Sequence, residues 1–333
     1  MFENYQSHDY YIKDFKFDNG QILANLKLHY LTMGSPIWDS TGQITNAVLL
    51  LHNTTGNSKI WLQPSLGGEL FGSSQALDLS KYFVIIPDAI GFGKSSKPSD
   101  GMRASFPNYR YSDIVRSIKM LLTEKLEIQH LHLILGISMG GMLAWMWAGQ
   151  YPEFTDAIIA IACQPGPMSG RNWIQRRIAI EAIRNDPKWF EGNYTENPSY
   201  YVYTAPYSAL LTHSVKKIQE HAPTRKDSDK FYIELVNRAR KIDANNRLYQ
   251  IEASMDYDPS AYISAIKAKM LLINFADDQL NPPELDIIEP VIQKIPDARF
   301  VLVPSSSKTQ GHGSNSMASI WKHHLEEFLS SPV

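Results

Sequence analysis

A serine between two glycines, in Gly136-Ile137-Ser138-Met139-Gly140, has the spacing of a nucleophile elbow. The apolar run at residues 131–135 predicts a strand before it, and the residues from 141 onward predict a helix after it. A serine on such a sharp turn projects its hydroxyl clear of the backbone, and the N-terminus of the helix favours developing negative charge. Ser138 is therefore the predicted nucleophile of an acyl-group reaction.

The predicted nucleophile needs a base and a third group that orients the base, because serine is weakly nucleophilic at neutral pH. In strand–serine–helix sites of this kind, the acid and then the histidine follow the serine along the chain. His312 lies between two glycines after the last predicted strand and is the candidate base. Asp277 and Asp278 both follow the strand predicted at 270–274, so their positions leave both open as the acid.

Acyl chemistry also needs hydrogen-bond donors for the oxyanion. One donor in such sites is the N–H after the nucleophile, here that of Met139. The second comes from a loop after an earlier strand, here residues 52–56. By position, the Thr54 N–H is the predicted second donor, with Asn53 as the alternative.

The elements that must position these residues alternate between strands and helices. An Asn19-Gly20 turn signal predicts a hairpin from residues 12–17 and 23–31, and helices are predicted at 111–126 and 316–329. This alternation predicts an α/β fold with a mostly parallel central sheet and helices on both faces. Short apolar runs predict its strands at residues 47–52, 82–87, 131–135, 157–162, 270–274 and 300–303.

Residues 166–257 interrupt this alternation with helical patterns alone, at 174–183, 210–220 and 229–242. We interpret this segment as a helical lid inserted between the first part of the core, 1–165, and the second part, 258–333. Its aromatic residues are expected to line an apolar pocket over Ser138 and to exclude water. These residues are Trp173, Trp189, Tyr194, Tyr200, Tyr201, Tyr203 and Tyr207.

The composition limits which binding partners and which cellular compartment are expected for this chain. The 333 residues carry a formal net charge of −2, which gives no reason to expect nucleic acid or an anionic membrane as a partner. Cys163 is the single cysteine, which excludes an intrachain disulfide and fits the cytoplasm. The first residues lack a basic region followed by an apolar core, and no apolar run reaches the roughly 18–20 residues of a membrane helix, so neither a secretory signal nor a membrane span is expected.

Five segments carry a family likeness. They are HNTTG at 52–56, GISMGGM at 136–142, EAIRNDPKWFEGNY at 181–194, DANNRLYQIEASMDYD at 243–258 and DDQLNPP at 277–283, with Gly311 and His312 beyond them. Through them the chain resembles the homoserine O-acetyltransferase-like group of the α/β-hydrolase superfamily. The resemblance implies the α/β-hydrolase fold and pairing of two chains through the lid. It also implies Asp278 as the acid, because the family's acid lies four residues before the first proline of the Pro-Pro pair.

The chain departs from the acetyltransferases at three places. Residues 91–98 read GFGKSSKP, as in ordinary esterases, where the acetyltransferases carry a Gly-Gly-Cys type loop. Residues 207–215 contain no arginine to clamp an amino-acid carboxylate, and Gly-His-Gly replaces the family's Gly-His-Asp. Such a clamp could still come from another arginine of the lid, although surface positions are expected for these: Arg171, Arg176, Arg177 and Arg184.

These departures favour hydrolysis over transfer. The predicted function is a serine hydrolase of carboxylesterase type, acting on an ester of a small acyl group without a metal or organic cofactor. The first alternative is acyl transfer from an acyl-CoA to a homoserine-like hydroxyl, and the second is a binding protein that keeps the fold without activity. The expected partner is a small-molecule ester or acyl donor, and its binding residues are not identified by the sequence.

Overall fold

An eight-stranded sheet forms the centre of the computed structural model, which describes residues 4–330. Residues 1–3, part of the segment used to judge the secretory signal, lie outside the described residues, as do residues 331–333. The strands are β1 (Gln6–Lys16), β2 (Ile22–Met33), β3 (Ala47–Leu51), β4 (Phe83–Pro87), β5 (Leu131–Ile137), β6 (Thr155–Ile161), β7 (Lys269–Phe275) and β8 (Ala298–Val303).

The order across the sheet is β1-β2-β4-β3-β5-β6-β7-β8. Strands β3 to β8 pair in parallel, whereas β1 pairs antiparallel with β2 and β2 antiparallel with β4. The predicted α/β fold with a mostly parallel sheet is thus confirmed. The carboxyl ends of the parallel strands share one edge, where the loops after β3, β5, β7 and β8 meet.

Helices cover both faces of the sheet because its central strands are apolar on both sides. In β3, Val48 and Leu50 pack into the core on one face, while Leu49 and Leu51 pack into the core on the other. The helices that flank the strands are α1 (Gly67–Leu70), α2 (Tyr111–Met120), α3 (Met139–Gln150), α9 (Ile288–Ile292) and α10 (Ala318–Ser330). A π-helical turn at Leu121–Lys125 completes the helix predicted at 111–126.

Five α-helices, one short 3-10 helix and no strand lie between β6 and β7 within residues 166–257. The helix predicted at 210–220 is wrong in one respect, because the chain breaks there. His213 adopts an extended conformation, and the Ser214 hydroxyl accepts a hydrogen bond from the Lys217 N–H, which starts a new helix. The five helices are α4 (Gly170–Arg184), α5 (Tyr200–Thr212), α6 (Val215–His221), α7 (Arg225–Ala239) and α8 (Ala244–Glu252).

The segments at 181–194 and 243–258 meet inside this insertion. The Tyr194 hydroxyl donates to Asp243 Oδ2 at 2.7 Å, and Trp189 Nε1 donates to Asn245 Oδ1 at 2.9 Å.

In residues 4–330, each helix is too short or too polar to cross a lipid bilayer.

Candidate active site

Ser138 lies on a strained turn between β5 and α3. Its backbone has φ 54° and ψ −113°, a conformation that a non-glycine residue rarely adopts. A Cβ at Gly136 would lie 2.1 Å from the Gly140 carbonyl oxygen, and one at Gly140 would lie 2.2 Å from the Leu51 oxygen. Both glycines are therefore needed for the close approach of α3 to β5 and β3.

The structure brings Ser138 and His312 together from positions 174 residues apart. Ser138 Oγ lies 2.8 Å from His312 Nε2, and both side chains are largely buried. On the other side of the imidazole, His312 Nδ1 lies 2.7 Å from Asp278 Oδ2. The Asp278 carboxylate can only accept, so Nδ1 carries a proton and a neutral imidazole presents its Nε2 lone pair to the serine hydroxyl.

Asp278 is fully buried and is held by three donors besides His312. The Leu280 and Asn281 N–H groups donate to its Oδ1 at 2.8 and 3.3 Å, and Asn281 Nδ2 donates to its Oδ2 at 2.9 Å. Burial alone would raise the pKa of this carboxyl, but His312 and the donated hydrogen bonds hold the pKa below its ordinary value. An ionised carboxylate is thus fixed behind the imidazole.

Asp277 makes different contacts. Its Oδ2 accepts from Thr309 Oγ1 at 2.8 Å and from the Gly311 N–H at 3.1 Å. These bonds tie the loop after β7 to the loop that carries His312. The two neighbouring aspartates therefore have separate partners. Asp278 contacts the imidazole, and Asp277 contacts the loop that carries it.

The loop at residues 52–56 follows β3. The Ala89 N–H donates to His52 Nε2 at 3.1 Å, so His52 is neutral and its Nδ1 donates to the Asn53 carbonyl at 2.8 Å. Burial lowers the pKa of His52, in agreement with this neutral form. Asn53 Nδ2 donates to Ser316 Oγ at 3.3 Å, whereas the Thr54 N–H has no hydrogen-bond partner among residues 4–330. Thr54 stays the predicted oxyanion donor, with the Met139 N–H at the start of α3.

Asp88, which the sequence reasoning missed, holds the start of the helical turn at Ser58–Leu62, which follows this loop. Its Oδ1 accepts from the Ser58 N–H at 2.6 Å, and its Oδ2 lies 2.9 Å from His29 Nδ1 and accepts from the Lys94 N–H at 2.8 Å. Burial would raise the pKa of Asp88, but His29 and the other donors lower it to about 2. The signal available in the sequence was an aspartate directly after a buried strand and before a Gly-Phe-Gly turn.

The insertion contacts the His312 loop at the junction of α5 and α6. Gly311 has φ 63°, and a Cβ there would lie 2.7 Å from the Ser214 nitrogen. Arg171, at the start of α4, donates to Gln279 Oε1 at 2.8 Å on the loop after β7. The insertion therefore touches the loops after β7 and β8 at two places, its start and the junction of α5 and α6.

A cavity of about 420 Å³ lies between the start of the insertion, Met142 of α3 and the loop after β7. Its wall includes Met168, Leu280 and Leu285, and it carries one positive and one negative side chain, Arg171 and Glu284. The expectation that the aromatic residues of the insertion line a pocket is wrong for this cavity. Tyr257 lines it, but the seven aromatic residues named above do not: Trp173, Trp189, Tyr194 and Tyr201 pack against the core, and Tyr200, Tyr203 and Tyr207 are exposed.

The four arginines considered as a carboxylate clamp have different environments. Arg177 pairs with Glu181, and Arg184 lies 2.5 Å from Glu252. Arg176, expected on the surface, is buried instead. Its Nε donates to Asn172 Oδ1 at 3.0 Å, and burial lowers the pKa of its guanidinium, which lies beside Tyr111. The apolar periodicity of α4 gave no sign of this, because the interior position depends on packing against other helices, among them α5 and α8.

Known proteins are similar to this chain over most of its length. The family model described as alpha/beta hydrolase fold matches residues 46–307. A probable acyltransferase of Methanothermobacter thermautotrophicus is 27% identical over 306 residues, 92% of each chain. A homoserine O-acetyltransferase of Haemophilus influenzae (strain 86-028NP) is 31% identical over 297 residues, 79% of this chain and 81% of the relative.

A solved structure extends the likeness to nearly the whole chain. The acetyl esterase MekB is 26% identical, and the match has a TM-score of 0.81 and covers 98% of this chain and 97% of that one. Other homoserine O-acetyltransferases match over only about half of their own length. The similar proteins thus include both acyltransferases and an esterase.

Proposed function

Because this chain belongs to the α/β-hydrolase family and is an enzyme of that family, we propose that it is a serine carboxylesterase acting on esters of small acyl groups. The observation that carries the proposal is the hydrogen-bonded series from Ser138 through His312 to Asp278, with the serine on its strained turn. The same three residue types in this geometry recur in enzymes that form acyl-serine intermediates.

In the proposed reaction, Ser138 Oγ attacks the ester carbonyl while His312 Nε2 takes the hydroxyl proton. The imidazolium then gives that proton to the leaving alcohol as the ester C–O bond breaks, which leaves an acyl group on Ser138. A water molecule, deprotonated by the same nitrogen, attacks the acyl group and releases the acid. Asp278 keeps the proton on Nδ1 and stabilises the imidazolium in each half-reaction.

Charge that develops on the carbonyl oxygen needs donors. We assign this role to the Met139 N–H at the start of α3 and to the Thr54 N–H of the 52–56 loop. Each such donor contributes on the order of 10²–10³ in rate. The positive end of the α3 dipole adds to their effect, because the first turn of a helix leaves N–H groups without partners inside the helix.

The lining of the cavity beside the loop after β7 supports hydrolysis over transfer of the acyl group to an amino acid. Its wall is mostly apolar, and its charges, Arg171 and Glu284, are of opposite sign. Arg171 is exposed and bonded to Gln279, so it does not form a buried clamp for a carboxylate. The apolar wall suits the hydrocarbon part of an uncharged ester.

Acyl transfer to a hydroxyl acceptor is the second candidate, and the similarity to acyltransferases favours it. The first half-reaction is the same, and only the group that attacks the acyl-enzyme differs. If homoserine is the acceptor, its carboxylate must bind outside the cavity described above. Buried Arg176 is the candidate residue for that binding.

The test compares two reactions of the same preparation. We expect steady release of acetate and p-nitrophenol from p-nitrophenyl acetate, and little CoA release from acetyl-CoA with homoserine. Ser138→Ala should abolish ester turnover, while Ser40→Ala, at an exposed turn, should not. Rapid homoserine-dependent CoA release with negligible ester hydrolysis would establish transfer instead. Unchanged turnover in a folded Ser138→Ala variant would refute Ser138 as the nucleophile.

A further inference from the structure

A second Ser–His–Asp series lies at the antiparallel end of the sheet. Ser7 Oγ lies 2.9 Å from His29 Nε2, and His29 Nδ1 lies 2.9 Å from Asp88 Oδ2. The atoms and their order are those of the Ser138 site, where the two distances are 2.8 and 2.7 Å. The residues come from β1, β2 and the loop after β4, so this series shares no residue with the Ser138–His312–Asp278 series, although Asp88 also holds the turn that follows the 52–56 loop.

The protonation of this series follows from its carboxylate. Asp88 is buried and ionised, because its pKa is lowered to about 2, and it can only accept hydrogen bonds. His29 Nδ1 must therefore carry a proton toward Asp88. In the neutral imidazole, the Nε2 lone pair then accepts the Ser7 hydroxyl proton.

Access is confined to the serine. His29 is buried, with 2% of its surface exposed, whereas Ser7 is exposed on edge strand β1. Ser7 is the cross-strand partner of Leu31 and lies diagonally across from His29, whose own partner is Asp9. A reagent in solution can thus reach the hydroxyl, while the base behind it stays fixed in the interior.

We infer that Ser7 is a second acyl-accepting site, at which activated acyl donors such as aryl esters, acyl phosphates and N-hydroxysuccinimide esters leave a stable ester. Ser7 Oγ forms a bond to the acyl carbon as the bond to the leaving group breaks. The hydroxyl proton passes to His29 Nε2 and from there to the leaving group. Asp88 stays ionised and balances the imidazolium.

The site differs from Ser138 in what surrounds the oxygen of the intermediate. Ser7 lies inside β1, in regular strand structure, and strand residues follow it. It therefore has no helix N-terminus behind it to stabilise an oxyanion, and the loss of a single oxyanion donor costs on the order of 10²–10³ in rate. Acylation there requires an already activated donor, and it marks the protein once instead of turning over.

The experiment uses the full chain with Ser138→Ala, so that the outcome does not depend on the proposed esterase activity. The protein is treated with a limiting amount of N-hydroxysuccinimidyl acetate, and acetylation of each serine is measured by peptide mass spectrometry. Ser40, exposed on the turn between β2 and β3, is the internal reference. We expect Ser7 to react about a hundredfold faster than Ser40, the lower end of what a positioned general base contributes.

A matched variant tests the base. His29→Gln keeps a polar side chain beside Ser7 but removes the basic nitrogen, and it should lower the Ser7 rate to that of Ser40. If the variant does not fold, the acetylation rate of Ser7 relative to Ser40 in the parent chain still tests whether Ser7 is the more reactive serine. The inference is overturned if Ser7 reacts within about twofold of Ser40, or if a folded His29→Gln variant labels Ser7 as fast as the parent.

Discussion

Asn281 donates a side-chain N–H to Asp278 Oδ2 at 2.9 Å, the same oxygen that lies 2.7 Å from His312 Nδ1. The other hydrogen of this amide is directed to the Ala162 carbonyl at 3.1 Å, at the end of β6. Asn281 is 2% exposed. The carboxylate is therefore anchored to the neighbouring strand as well as to the histidine that it orients.

Replacing Asn281 with alanine should lower kcat for p-nitrophenyl acetate about 10- to 100-fold and leave KM nearly unchanged. A hydrogen bond to a charged group is worth about 1.5–3 kcal/mol, and each 1.4 kcal/mol in the barrier is tenfold in rate. Steady-state kinetics across a pH series checks this, with Asn185→Ala on the exposed end of α4 as the control. A folded Asn281→Ala protein with kcat within twofold of the parent would contradict it.

Asp278→Asn and Asp277→Asn should separate orientation of the base from support of its loop. The first replacement removes the carboxylate that fixes the His312 tautomer, and kcat should fall by about 10⁴. The second weakens the bonds to Thr309 and Gly311, so it should lower the free energy of unfolding by about 1–2 kcal/mol with a much smaller loss of kcat. Kinetics and denaturant unfolding of both variants check this prediction. A larger kcat loss in Asp277→Asn would reverse the assignment.

Acid should destabilise the protein partly through Asp88. Its pKa is about 2 in the folded chain and near the ordinary value of about 3.9 in the unfolded chain. A lowered folded pKa stabilises the protein above about pH 4, and this contribution, about 2–3 kcal/mol, is lost as the pH falls toward 2. Asp278, whose pKa is also lowered, acts in the same direction.

Denaturant unfolding between about pH 6 and pH 2 measures this loss. Asp88→Asn should be less stable at neutral pH and should show a shallower decline with acid. Asp229→Asn, at an exposed position on α7, should follow the parent curve. An Asp88→Asn curve parallel to the parent would show that the stability of the fold does not depend on this carboxylate.

The resemblance-based prediction of a homodimer has a candidate surface on α5. Tyr200, Tyr203 and Tyr207 are 49%, 54% and 42% exposed, and their i, i+3, i+7 spacing places them on one face of the helix. Contiguous apolar surface of this kind is typical of interaction sites. We expect a dimer in sedimentation equilibrium, and Tyr203→Glu should weaken it at least tenfold. Tyr11→Glu, on exposed β1, should leave it intact, and a monomeric parent chain would refute the prediction.

Local sequence patterns were sufficient for the elbow and the sheet. Residues 131–141 contain the strand, the turn glycines and the start of the helix, so the position of Ser138 depends on neighbours a few residues away. The parallel strands were recognised as short continuous apolar runs, with ends displaced by one or two residues in most cases. The break at Ser214 was missed because apolar residues recur at helical spacing on both sides of it. The cap that ends one helix and begins the next does not interrupt that pattern.

Long-range packing decided what the patterns left open. Asp277 and Asp278 are adjacent carboxylates whose place after the strand does not distinguish them; the resemblance implied Asp278, and in the structure it is Asp278 that lies beside His312, 34 residues beyond it. The burial of Arg176 and the exposure of the α5 tyrosines depend on which helix face meets a neighbouring helix and which meets solvent. Sequence alone therefore determined which residue types stand at strand ends and turns, because those signals are local. The direction of each side chain toward its partner was decided by the tertiary structure, because the partners lie on elements far apart in the chain.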